Sequence, residues 1–199
     1  MGVPLYPHPG YPFTLDIRVQ YALGDDGLAV TTTATNLGEQ ACPYGMGQHP
    51  YLSPGAGTID ACTLQLPATT RILVDDERSL PTGTEAVEGT PYDFRDARPL
   101  GELSLDTPFT DLLRDPAGVA TSRLTAPDGT CAELWVDERY VFLEVFTGDG
   151  LAPSRRRRGL AVEPMSCAPN AFQSGDGLVR LEPGESITGR WGARLHGGR

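Results

Sequence analysis

The amino-acid sequence predicts an all-β protein, a sandwich or a barrel. Three observations carry that prediction. Apolar and polar residues alternate along several short segments, as they do in half-buried strands. Turn residues separate nearly all of these segments. With 24 glycines and 18 prolines among 199 residues, no window shows helical periodicity beyond a possible turn near Ala171 and Phe172.

Residues 1–11 carry Pro4, Pro7 and Pro9. Proline lacks an amide donor, so this segment is expected to be a loop-like tail, neither helix nor sheet. Strands begin with residues 13–21. Phe13, Leu15, Ile17, Val19 and Tyr21 share one face, and Thr14, Asp16, Arg18 and Gln20 share the other. Gly24-Asp25-Asp26-Gly27 turns the chain into a second strand over 28–35, making a hairpin. Short strands follow at 62–66 and 71–74, around Pro67. Another hairpin runs from 122–126 through Pro127-Asp128-Gly129 to 130–136. Residues 140–146 are strongly apolar and should form a central strand. Segments 159–162, 178–181 and 186–195 complete the set. Residues 75–113, with Pro81, Gly83, Gly89, Pro91 and Pro108, read as one long irregular region, and loops of that length are usually functional. There is no internal repeat and no domain boundary, so residues 1–199 are expected to form one domain.

Composition excludes several classes of function. Acidic residues outnumber basic ones 26 to 16, a formal charge of -10, which argues against nucleic acid or an anionic membrane as partner. All the basic residues are arginine. Schiff-base chemistry, lysine-anchored pyridoxal phosphate and a P-loop therefore fall away. The four cysteines (Cys42, Cys62, Cys131, Cys167) are far apart and the three histidines scattered. They predict reduced, mostly buried thiols and no metal site. With no apolar run of spanning length and no signal pattern after Met1, a soluble cytoplasmic protein is expected.

The segment Tyr44-Gly45-Met46-Gly47-Gln48-His49-Pro50-Tyr51-Leu52 stands out chemically. Pro50 pushes His49 into an extended conformation, the glycines allow a tight backbone path, and tyrosines flank the imidazole. A sugar or acid/base site and a solvated loop histidine both fit. Glu163 follows the apolar run Gly159-Leu160-Ala161-Val162 and is itself fixed by Pro164. A carboxylate at the end of a buried strand is either a structural ion pair or a functional group. Arg155 to Arg158, just upstream, read as an anion site or as a solvated run that offsets the acidic surface. Asp106 lies near Phe109, with Asp111 close by. Tyr44, Tyr51, Tyr92, Phe94 and Phe109 offer stacking faces or plain core packing.

These residues carry a family resemblance. The order begins with Gly10-Tyr11-Pro12-Phe13, a hairpin ending in Thr35-Asn36, then Gly47-Gln48-His49-Pro50-Tyr51-Leu52. Leu105-Asp106 with Phe109, Leu134-Trp135 and Phe146-Thr147-Gly148 follow. Ala161-Val162-Glu163-Pro164-Met165 and Leu181-Glu182-Pro183-Gly184-Glu185 close it. Motifs in this order over nearly the whole chain resemble the aldose 1-epimerases (galactose mutarotases), bacterial branch. The resemblance implies a twisted antiparallel β-sandwich of the galactose mutarotase-like supersandwich type, here N-terminally truncated. It also implies interconversion of the α and β anomers of a free hexose without a cofactor. In that reading His49 is the general acid and Glu163 the general base, while Asp106, Tyr51 and Gln48 bind the sugar. A carboxylate with a pKa of about 4.3 and an imidazole of about 6.5 can serve as base and acid near neutrality. Two other readings stay open: a hexose-6-phosphate 1-epimerase using Arg155 to Arg158, and a non-catalytic carbohydrate-binding module.

In the family the domain is longer at its N-terminus, where it supplies an arginine and a second histidine facing the sugar. Leu195-His196-Gly197-Gly198 imitates the second of those motifs but follows the last strand, and is read as coincidence. A sandwich without its first strands should expose apolar faces and sheet edges, so the 199-residue chain is expected to be poorly soluble or weakly active.

Overall fold

The computed structural model describes residues 1–197. The chain starts with β1 (Gly2–Leu5), then the long hairpin β2 (Leu15–Gly24) and β3 (Gly27–Asn36). The short strands β4 (Cys42–Tyr44) and β5 (Tyr51–Leu52) precede a 3-10 turn at Ile59–Ala61. β6 (Thr63–Gln65), β7 (Ala68–Val74), β8 (Pro81–Ala86), β9 (Arg98–Pro99) and β10 (Asp106–Leu112) come next. The last third holds β11 (Ala120–Thr125), β12 (Cys131–Val136), β13 (Phe142–Phe146) and β14 (Leu160–Met165). One helical turn, α1 (Ala171–Ser174), is followed by β15 (Val179–Leu181) and β16 (Ser186–His196).

The strands form an eight-stranded sheet, β1-β2-β3-β16-β12-β11-β6-β9, a six-stranded sheet, β5-β14-β13-β10-β7-β8, and the pair β15-β4. Pairings are antiparallel throughout the ladders around the site. Val30, Leu64, Leu124, Leu134 and Val136 from the large sheet meet Phe109, Leu143, Val145, Leu160 and Val162 from the smaller one in a single core cluster, each essentially without solvent contact. The fold is therefore the antiparallel sandwich. Because side chains alternate along a strand, the partners of these core residues on β10, β13 and β14 point away from the large sheet.

Three expectations are corrected. The proline-rich start is not all loop: Gly2–Leu5 pairs with β2, Pro4 opposite Asp16. It does so as an edge strand, where a missing N–H costs no ladder bond on the free side. The region 75–113 is not one irregular loop either, since it contains β8, β9 and the central strand β10. Its prolines hide this. Pro81 and Pro99 sit on edge strands. Pro108 lies opposite Glu144 of β13, while the ladder to β7 begins one residue later at Phe109. β14 also runs two residues past Glu163, so that carboxylate is inside the strand rather than at its end.

Asn36 closes the large hairpin onto the C-terminal part of the chain. It is fully buried, and its amide donates to the carbonyls of Gln40 (2.8 Å) and Leu181 (2.9 Å) while accepting from the Gly38 amide (2.9 Å).

Candidate functional site

The segment before β5 is held against β14 by backbone bonds. Ser166 N–H donates to Met46 O (2.9 Å), Gln48 N–H to Pro164 O (3.1 Å) and Val162 N–H to Pro50 O (3.3 Å). The Met46 amide also donates to the Ser166 hydroxyl (2.8 Å). Glycine is required by this closeness: a Cβ on Gly45 would collide with the Cys167 sulfur. The segment thus runs antiparallel to β14 and brings His49 level with Glu163. Their side chains meet, Nε2 to Oε1, at 3.1 Å. The imidazole is 53% exposed and the carboxylate 15%, so the pair sits at the rim of an open surface. Tyr51 stacks on His49, with centroids 5.0 Å apart and planes 20° from parallel.

The strand register places two more carboxyl groups on the same face. Glu144 is directly opposite Glu163 across β13 and β14. Pro108 is opposite Glu144, so Asp106, two residues earlier on β10, shares that face, opposite Phe146. Thr147 positions the Asp106 end. Its hydroxyl donates to Leu105 O (3.1 Å) and accepts from Leu105 N–H (2.9 Å), in the residue just before Asp106. The carboxyl groups gathered on this face shape the titration of Glu163 and Glu144. Burial raises the Glu163 pKa above the ordinary carboxylate value and Asp106 adds to the rise, while His49 opposes it. Burial, reinforced by Asp106 and Glu163, pushes Glu144 up to about 8. One of its oxygens, Oε1, is buried with no hydrogen-bond partner. Burial, helped by the Glu163 charge, also raises the Tyr51 phenol.

The structure therefore gathers His49, Glu163, Tyr51 and Asp106 on one face. Gln48 points to the other side of its segment. There it accepts from the Tyr140 hydroxyl (3.0 Å) and donates to Thr32 Oγ1 (3.3 Å), tying the segment to the large sheet. Of the five aromatics with two readings, Tyr44, Phe94 and Phe109 are core, and Tyr92 lies under the Arg71 guanidinium, 3.7 Å from the ring centroid. Only Tyr51 stands at the site, 45% exposed. Glu144 was missed from sequence. Its signal was a lone carboxyl in the middle of the apolar run Phe142-Leu143-Glu144-Val145-Phe146.

The arginine run divides. Arg157 is buried and ion-paired to Asp60 and to Asp149 (3.0 Å). It also donates to the carbonyls of Leu103 (3.2 Å) and Gly101 (2.6 Å). It is a structural clamp. Arg155, Arg156 and Arg158 are exposed. His196 lies over the buried Glu133 (3.8 Å) beside Arg123 and Arg194, on the large sheet rather than near His49. Gly198 of the imitating motif lies outside the described residues. All four cysteines are free, Cys42 and Cys62 buried. Among the described residues no group of three or more His, Cys, Asp or Glu is placed to hold a metal ion, and no helix is long and apolar enough to cross a membrane.

With this arrangement in view, comparison with known proteins is specific. The family model described as aldose 1-epimerase matches residues 4–193. The uncharacterized protein YihR of Escherichia coli (strain K12) is 36% identical over 183 residues, 91% of this chain and 56% of that protein. The aldose 1-epimerase of the same organism is 34% identical over 92 residues, 45% of this chain and 26% of its own length. Among solved structures, an aldose epimerase homologue from C. elegans superposes with a TM-score of 0.82 at 20% identity, over 98% of this chain and 64% of that one. A galactose 1-epimerase from Lactobacillus acidophilus NCFM gives 0.79 at 20% identity, over 100% and 62%. At those identities the structural likeness speaks for the fold alone. The chain spans 56% of the length of YihR and just over three fifths of the two solved chains. The family match over nearly the whole chain, on the fold that these neighbours share, leads to one conclusion: this protein belongs to the aldose 1-epimerase family.

Proposed function

We propose that the chain carries the acid/base half of an aldose 1-epimerase site and interconverts the anomers of a free aldose by opening and reclosing its ring. The observation that supports this most directly is the contact between His49 and Glu163 at 3.1 Å on an open face.

Opening a cyclic hemiacetal requires a proton to leave the C1 hydroxyl and another to arrive on the ring oxygen. Both oxygens are bonded to the same carbon, so the base and the acid have to stand side by side. Glu163, made more basic than an ordinary carboxylate by burial and by Asp106, takes the hydroxyl proton. His49, in its protonated form, gives a proton to the ring oxygen as the bond from C1 breaks. The stacked Tyr51 ring and the extended backbone before Pro50 hold the imidazole in place. Rotation about the C1–C2 bond presents the other face of the aldehyde. The roles then reverse, and the ring closes as the opposite anomer. Asp106 and Glu144 flank the pair and offer acceptors, or in the protonated form of Glu144 a donor, to the remaining sugar hydroxyls. Gln48 acts through Tyr140 and Thr32 by anchoring the segment that carries His49.

Exchange between anomers is measured by NMR or polarimetry with glucose and galactose. Glu163→Gln keeps the shape and removes the base. Its rate is expected to fall at least about 100-fold, the lower bound for losing a positioned general base, while line broadening of the sugar signals still reports binding. A variant that exchanges anomers at the wild-type rate defeats the proposal.

A further inference from the structure

Next to the open face that carries the acid/base pair lies a pocket of about 490 Å³, to which Tyr51, Leu151, Arg155, Arg158 and Gly159 contribute. It joins the site in two ways. Tyr51 is common to both, since its ring stacks on His49. Gly159 precedes β14 and, by alternation, lies on the same face as Ala161 and Glu163. Four residues of extended chain put the Cα atoms of Gly159 and Glu163 about 13 Å apart, a span that a hexose together with an arginine side chain bridges.

The arginines there are displayed from a rigid turn. Arg158 N–H donates to Arg155 O (3.3 Å), and the amides of Arg155 and Arg156 both donate to Ala152 O (2.8 and 3.0 Å). A turn of this kind brings its first and fourth residues, Arg155 and Arg158, close together. Its third residue, Arg157, has φ of 52°, a left-handed conformation that is unfavourable for a residue with a side chain. That conformation is sustained by the bonds of the buried guanidinium to Asp60, Asp149, Leu103 and Gly101. The strain and its anchorage hold two further guanidinium groups at one pocket.

Those two groups lack counter-charges. The chain has ten more acidic than basic residues, and seven of its sixteen arginines, at 18, 71, 95, 123, 157, 180 and 194, pair with carboxylates; of the others, Arg155 and Arg158 stand together at one pocket. Among the described residues neither Arg155 nor Arg158 has such a partner. The face thus has a polarity: Glu163, Glu144 and Asp106 at one end, two unneutralised arginines at the other. A neutral hexose makes no use of it. A sugar with an anionic group remote from C1 does, because the carboxylates repel that group while the guanidinium forks bind it through charge-assisted hydrogen bonds.

We infer that the pocket at Arg155 and Arg158 receives an anionic substituent of the sugar, a phosphate or carboxylate carried on the exocyclic carbon, so that the preferred substrate is an acidic aldose. The inference rests on the epimerase reading only for where C1 lies.

The test compares anomer exchange of glucose, glucose 6-phosphate and glucuronate with the 199-residue chain and with its Arg155→Gln/Arg158→Gln variant, leaving Arg157 in place. The expected result is a kcat/KM at least tenfold higher for one of the acidic sugars than for glucose. That ratio should fall about tenfold in the double variant, through KM, and also with rising salt in the unaltered chain. A ratio near one in the unaltered chain, or one that the double variant leaves as it was, overturns the inference. Phosphate preferred over carboxylate, or the reverse, identifies the group bound. If no sugar is exchanged at all, the epimerase reading fails. The pocket is then judged by direct titration of glucose 6-phosphate and glucuronate, where binding that needs the two arginines upholds it and no binding refutes it.

Discussion

At the scale of single residues, Glu144 is the most consequential side chain that sequence reasoning passed over. Its carboxyl faces Glu163, is mostly removed from water and leaves Oε1 unpartnered. Its pKa, raised from 4.5 to about 8, makes stability depend on pH with a definite sign. Between those values the folded chain still holds a proton that the unfolded chain has released, so unfolding becomes easier as pH rises, by up to about 1.4 kcal/mol per pH unit for one such proton. Glu163, raised by the same causes, adds in the same direction. The urea midpoint should therefore drop between pH 5 and pH 8, and Glu144→Gln should flatten that drop. An equally steep drop in the variant would show that Glu144 does not carry it. His49 and Glu163 were legible because proline follows each of them and because each breaks its local pattern. Glu144 has no such marker, and its signal, one carboxyl in an apolar strand, only gains meaning once β14 lies beside it.

Among the elements, alternation identified the strands wherever one face meets the core and turn residues bound the run. It failed for β8, β9 and β10, where Pro81, Gly83, Pro99 and Pro108 interrupt the pattern. Those residues are tolerated for a tertiary reason: two of the three strands are sheet edges, and the ladder on one side of β10 starts after its proline. The turn 155–158 is the opposite case. Four consecutive arginines look alike in sequence, but Asp60 and Asp149 select one of them as a buried clamp. Replacing Arg157 with alanine leaves two carboxylates without a partner and a strained turn without its anchor. We expect a loss of about 3 kcal/mol in urea unfolding, at the low end for breaking a buried ion pair because both aspartates keep some solvent contact. A loss below about 0.5 kcal/mol, ordinary for a surface substitution, would contradict the clamp.

For the molecule as a whole, the large sheet is incompletely covered. Alternation assigned Ile17, Val19 and Tyr21 to one apolar face of β2, and they do share it, but burial fades along the strand. Leu15 is 1% exposed, whereas Tyr21 is 57% and Leu23 84% exposed. Val3 on the edge strand, opposite Ile17, is exposed as well. An apolar stripe beside a free sheet edge promotes association. Light scattering should report particles that grow with concentration, and Tyr21→Ser/Leu23→Ser should reduce that growth at little cost to stability. Identical scattering from the two chains would place the association elsewhere.

The sequence by itself determined the β class, most of the strands and the family, and it singled out His49 and Glu163 as candidates for acid and base, because these depend on local pattern and on side-chain type. Tertiary structure decided which of those residues meet. The register of β10, β13 and β14 set three carboxyl groups on one face, the course of residues 45–52 along β14 brought His49 to Glu163, and the backbone alternation at Gln48 sent its amide to the other side. Register is a pairing between distant segments, and a one-residue slip would turn every one of these side chains to the opposite face.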